Sequence, residues 1–169
     1  MREALSRLEE QGLIKTHRFK GAVVVGLSAD EASEIFDLRA LLEPEILRGA
    51  IPQMTDATKQ TAIIRCNDFS NSSDPLAWGG LNRIFHDTLY ADSSQTFTRE
   101  VADKAMDRVD RYIRAVLLEG NGMQRAKSEH LAILEACLSG NADLAADLLR
   151  EHILGAKKTL IASFPTLSK

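Results

Sequence analysis

The chain has 169 residues, a formal net charge of −3, and 44% apolar but only 5% aromatic residues. Plentiful Ala and Leu with few aromatics favour a helical core over a β-sandwich or barrel. A mildly acidic chain does not bind nucleic acid with its whole surface, so any DNA contact is local; no apolar run is long enough to cross a membrane, and no secretory signal opens the chain.

The first turns read as helix, with Leu5 and Leu8 on one stripe and Gly12 as the stop. That helical pattern is already running at Met1, so the chain reads as beginning inside an element. Leu13 to Val25 fit two short strands joined by a basic turn carrying Lys15, His17, Arg18 and Lys20. From Ser28 the character changes. Ser28 and Glu31 form a capping box ahead of a long helix with Ile35, Leu38, Leu42 and Ile46 inward, broken at Pro52. A second helix is expected from about Asp56 to Phe69. A polar loop follows, with Pro75 suited to the first turn of a third helix carrying Leu81, Phe85 and Leu89. A fourth covers about Phe97 to Glu119, a fifth Met123 to Leu138, and a sixth runs from the Gly140-Asn141 break to about Ile161. The expected fold is all-α, an antiparallel six-helix bundle behind a small fragment with two short strands. Cys66 and Cys137 lie outside any CxxC spacing and read as reduced thiols of a cytoplasmic protein.

Three of the four histidines fall on apolar helix faces. His86 lies between Asn82 and Leu89, His130 shares a face with Leu134 and Cys137, and His152 with Leu148, Leu149 and Ala156. Each is open to two readings. A core histidine can be satisfied by its own hydrogen-bond partners. Three imidazoles from three helices of one bundle can instead share a metal. Asn82, one turn before His86, offers an amide oxygen as a fourth ligand. Asp87 and Glu129 neighbour His86 and His130 in sequence and read as pointing elsewhere. Arg39, Arg111 and Arg114 lie beside inward stripes, where a guanidinium suits a carboxylate. Each also has a carboxylate at four-residue spacing: Glu43 for Arg39, Asp107 for Arg111 and Asp110 for Arg114. Surface ion pairs are the plainer reading of all three.

The opening string Arg2-Glu3-Ala4-Leu5, with Arg7-Leu8-Glu9 and Gly12-Leu13-Ile14, resembles the end of the recognition helix in GntR-family bacterial regulators. His17 to Val24 is similar to their wing. Leu38-Arg39-Ala40-Leu41-Leu42-Glu43, Asn82 to Leu89, Glu129 to Leu134 and Arg150-Glu151-His152-Ile153 resemble the FCD ligand-binding domain of the FadR subfamily, and six regulatory helices resemble its VanR-like branch. The resemblance implies a truncated winged-helix DNA-binding domain over 1–27 and a helical FCD-type domain over 28–165. It implies a divalent metal at Asn82, His86, His130 and His152, zinc before nickel, manganese or iron, with Asn82 standing where Asp is more usual. It also implies a small carboxylate effector near Arg39, Arg111 and Arg114, since neutral imidazoles leave the cation's charge open to an anion. The expected partners are a second copy of the chain and operator DNA, touched by Arg2, Lys15, His17, Arg18 and Lys20. Further helices are expected ahead of Met1, so specific DNA binding belongs to a longer form. A transcriptional regulator, not an enzyme, is the resulting expectation. The alternatives are a metal-free helical dimerisation or adaptor domain, and a metalloenzyme activating water.

Overall fold

A computed structural model describes residues 5, 14–17, 21–24, 28–118 and 121–167. Strands β1 (Ile14–His17) and β2 (Gly21–Val24) pair antiparallel, with Ile14 opposite Val24 and His17 opposite Gly21. Gly21, at φ 79°, turns the chain into β2. Lys15 and His17 sit on β1. Arg2, Arg18 and Lys20, and the opening helix apart from position 5, lie outside the described residues.

Six α-helices follow: α1 (Ala29–Ala50), α2 (Asp56–Asn71), α3 (Trp78–Leu89), α4 (Thr96–Leu118), α5 (Gly122–Leu138) and α6 (Ala142–Leu167). Their starts follow from local chemistry. Ser28 Oγ accepts the Glu31 N–H at 3.0 Å, and Thr55 Oγ1 accepts the Thr58 N–H at 3.1 Å, each satisfying a donor the first turn leaves open. Gly140, at φ 73°, ends α5 by letting the Asn141 N–H reach back to the Ala136 carbonyl at 2.9 Å. A short 3-10 turn over Ile51–Gln53 marks the break expected at Pro52.

Three details differ from the sequence reading. Pro75 lies in a turn ahead of α3, which starts at Trp78; α6 runs on to Leu167; and Leu38 is 39% exposed while Phe36 and Ala40 take the inward positions. The α1 face is set by its neighbours on two sides, α6 and α4, so it is wider than a single stripe.

Helix α1 lies at the centre, against α6 and α4; α2 packs on α3 and α5, and α5 packs on α6. The core between them holds Phe36, Ile46, Leu47, Phe69, Phe85, Leu89, Ile133, Leu149, Ile153 and Leu160, all essentially without solvent contact. Pro44 sits buried inside α1, and a proline has no N–H for the carbonyl four residues earlier. That carbonyl belongs to Ala40, and Arg150 Nη1 of α6 donates to it at 2.7 Å. Arg83 of α3 reaches Asp87 on its own helix and both Asp103 and Asp107 on α4, fixing α3 against α4. Both cysteines are free and buried, and burial pushes the Cys137 thiol up to about 12. Among the described residues no helix is long and apolar enough to cross a membrane.

Candidate metal and effector site

His86 of α3, His130 of α5 and His152 of α6 meet in the bundle interior. Their ring centroids are 5.0 Å (His86–His130), 5.2 Å (His86–His152) and 4.9 Å (His130–His152) apart. One nitrogen from each can be chosen so that all three lie within 4.8 Å of one another. His86 and His130 are fully buried, and His152 is 8% exposed. Phe69 and Phe85 each pack on the His130 ring, with centroids 4.6 Å away.

All four ring nitrogens of His86 and His130 are buried without a hydrogen-bond partner. A buried polar group left unpaired costs roughly 1–3 kcal/mol, so four such atoms in one place demand a reason. A shared cation is one that fits, since neutral imidazole is a usual ligand for zinc, nickel and iron. Burial first, then His152 and the Arg39 and Arg83 guanidiniums, hold His86 well below the ordinary imidazole range. Burial, His152 and His86 do the same to His130. Both rings are therefore neutral at pH 7, the state that ligates metal.

His152 differs, because its Nδ1 lies 2.7 Å from Glu129 Oε2. An imidazole that donates from Nδ1 keeps its Nε2 lone pair free, and a carboxylate behind a histidine is a recurring support for a metal ligand. This overturns the expectation that Glu129 points elsewhere. The signal was present in the sequence: Gly122, Arg125, Ala126, Glu129, His130 and Ile133 recur at helical spacing as one broad face of α5. Asp87 does turn away, to Arg83 at 3.1 Å.

A small cavity adjoins His152. It is partly open and small, about 20 Å³, and Asn82, His152, Arg39 and Arg125 contribute its polar wall. Asn82 is 4% exposed. Arg39 is 2% exposed, so the surface ion pair expected with Glu43 is in fact a buried one. Arg39 Nε donates to Glu43 Oε1 at 2.6 Å, and Tyr90 donates its hydroxyl to Glu43 Oε2 at 2.8 Å. Burial and then Glu43 push the Tyr90 phenol well above its usual range, so it remains a donor. The Arg39 guanidinium lies 5.0 Å from the Phe36 ring centroid, and its Nη1 is buried without a partner. Arg125, unremarked in the sequence, donates from Nη1 to Thr159 Oγ1 at 2.9 Å. Its Nε lies 3.4 Å from Glu129 Oε1, outside hydrogen-bond geometry, and is likewise orphaned. Arg111 and Arg114 lie on α4, but their side chains fall outside the described residues. Asp107, expected to pair with Arg111, accepts from Arg83 at 3.0 Å.

Residues 34–155 match the FCD domain. Among curated relatives, the HTH-type transcriptional regulator BphR of Paraburkholderia xenovorans is 28% identical over 90% of this chain. The HTH-type transcriptional repressor GlaR of Escherichia coli is 24% identical over 91% of it. The chain spans 66% of the first relative and 75% of the second. A solved GntR-family transcriptional regulator from Pseudomonas syringae aligns over 98% of this chain and 70% of its own, with a TM-score of 0.73 and 26% identity. Escherichia coli McbR/YncC shares the fold, with a TM-score of 0.86 at 17% identity over 96% of this chain and 84% of its own. Its matched length and its neighbours together show that the chain belongs to the FCD family, in the form found in GntR-type transcriptional regulators.

Proposed function

We propose that this chain is the effector-sensing part of a transcriptional regulator of the FadR type, not an enzyme, and that its ligand is a small carboxylate bound at a divalent metal. The observation that carries this reading is the meeting of three imidazoles, with four orphaned ring nitrogens, beside a cavity walled by two arginines.

His86, His130 and His152 would hold the metal, zinc in the first place, with the Asn82 amide oxygen as a weaker fourth donor. When bound, the metal supplies a Lewis-acidic seat for a carboxylate oxygen. Burial keeps His86 and His130 neutral and ready to ligate. Glu129 orients His152. Arg39 and Arg125 offer N–H donors to the rest of the ligand. The helices that carry these groups also form the scaffold, so ligand binding shifts how they pack, and that shift is the signal to the DNA-reading part at 1–27. The regulator works as a homodimer through its helical domain, on paired operator half-sites.

Elemental analysis of protein purified without chelator tests the centre of this reading. One divalent metal per chain is expected. His130→Ala and His152→Ala should each lose it and lower the melting temperature. Protein that takes up no added zinc, or variants that keep their metal, would refute the assignment. Size analysis across micromolar concentrations checks the dimer, and a monomer throughout would refute that part alone.

A further inference from the structure

Helices α1 and α4 run side by side in opposite directions. Arg108 pairs with Glu31 at one end, and Gln95 Nε2 donates to the Glu45 carbonyl at the other, at 3.0 Å. That alignment sets Glu34 level with Lys104, Leu38 with Val101, and Leu41 with Phe97. On α1, Glu34, Leu38, Leu41 and Glu45 recur at helical spacing as one outward stripe. On α4, Phe97, Val101, Lys104 and Arg108 do the same on the side next to α1.

The middle of this double stripe is apolar and open to solvent. Leu41 is 62% exposed and Phe97 76%, with Leu38 beside them. Large apolar side chains gathered in the open and rimmed by charge mark an interaction surface. The charges differ in sign from one helix to the other: Glu34 and Glu45 on α1, Lys104 and Arg108 on α4. Arg108 is matched by Glu31, and Glu45 by Arg48. Glu34 and Lys104 are exposed, and no ion pair among the described residues uses either.

An acidic stripe beside a basic one on a single face is complementary to a copy of itself. A two-fold axis parallel to the helices lays α1 of each copy on α4 of the other at the same level. Glu34 then meets Lys104 and Leu41 meets Phe97, each twice. A two-fold axis across the helices sets α1 on α1 instead, with Glu34 against Glu45, an arrangement that like charge disfavours. We infer that the homodimer forms on this face, by crossed pairing of α1 with α4 of a second copy. The inference rests on the homodimer reading above and names its surface.

Sedimentation equilibrium of the full chain across micromolar concentrations tests this, with circular dichroism as the check on folding. The substituted side chains are exposed, so the fold should survive. Leu41→Glu and Phe97→Ser should each raise the dimer dissociation constant at least about a hundredfold, because an anchor worth about tenfold counts twice in a two-fold dimer. Lys104→Glu and Glu34→Lys should each raise it about tenfold, and the two together should restore it. Ile64→Glu, on the exposed face of α2, should leave it unchanged. Leu41→Glu and Phe97→Ser chains that dimerise as tightly as the parent, or dissociation by Ile64→Glu instead, would overturn the surface and leave the homodimer standing. Tighter association in Glu34→Lys alone, or a double variant no tighter than Lys104→Glu, would overturn the crossed pairing. A parent chain that stays monomeric throughout would overturn the inference and the homodimer together.

Discussion

Glu129 and His152, carried by adjacent helices α5 and α6, are joined by a 2.7 Å contact between Oε2 and Nδ1. The contact selects which imidazole nitrogen is free to ligate, and Glu129 Oε1 at the same time faces Arg125 at 3.4 Å. One carboxylate thus touches both the histidine cluster and the cavity wall.

Glu129→Ala should therefore weaken metal binding by about 10–100-fold without abolishing it, because the ligands remain while one loses its support. Glu129 is half-buried and outside the apolar core, so the fold should survive. Competition with a chromophoric chelator measures the affinity, and circular dichroism checks the fold. Unchanged affinity would show that the contact plays no part in ligation.

The metal-free protein should be sensitive to mild acid. Burial holds His86 and His130 below their ordinary range, so the unfolded chain binds protons at a pH where the folded one does not. Folding stability is then fully present above the unfolded imidazole value near 6.5 and is lost as pH falls below it, by up to about 1.4 kcal/mol per pH unit for each ring. Urea unfolding at pH 7.5, 6.5 and 5.5 reads this directly. His130→Phe should flatten the dependence, and an equally steep curve in that variant would assign it to other groups.

Arg150→Met should destabilise the bundle by about 1–3 kcal/mol, the cost of leaving a buried carbonyl unpaired. Pro44 removes the intrahelical donor to the Ala40 carbonyl, and Arg150 supplies the replacement. Replacing Pro44 with Ala in the same protein restores a backbone donor, so the double variant should lose less than Arg150→Met alone. Additive losses would break the link between the two residues.

Two glycines should respond in opposite directions. A Cβ on Gly122 would lie 2.1 Å from the Val116 carbonyl oxygen, so Gly122→Ala has to displace backbone where α4 hands over to α5, at a cost of about 1–3 kcal/mol. A Cβ on Gly80 meets nothing within 4 Å, so Gly80→Ala should stabilise α3 by up to about 1 kcal/mol. Thermal melts of both variants compare them.

The helices were legible because their ends are written in local chemistry. Ser28, Pro52 and the Gly140-Asn141 pair each act within a few residues of themselves, and the structure places boundaries there. The three inward histidines were legible for the same reason, since spacing fixes a helix face. What spacing leaves open is which side of a broad face counts as inside. Arg39 and Glu43 at four-residue spacing look the same on a surface as in a core, and only α6, α4 and Tyr90 closing over them make the pair buried. Leu38 was misplaced by the same ambiguity in the opposite direction. Glu129 and Arg125 needed α6 alongside before their role could be seen, and the pairing of Pro44 with Arg150 spans 110 residues between donor and acceptor.

Anomalous diffraction from crystals of the zinc-loaded chain tests the central claim most directly. The account predicts one strong peak about 2.0–2.1 Å from a single nitrogen of each of His86, His130 and His152, with Nε2 as the atom on His152. A peak elsewhere, or none in crystals whose protein carries zinc, would contradict it.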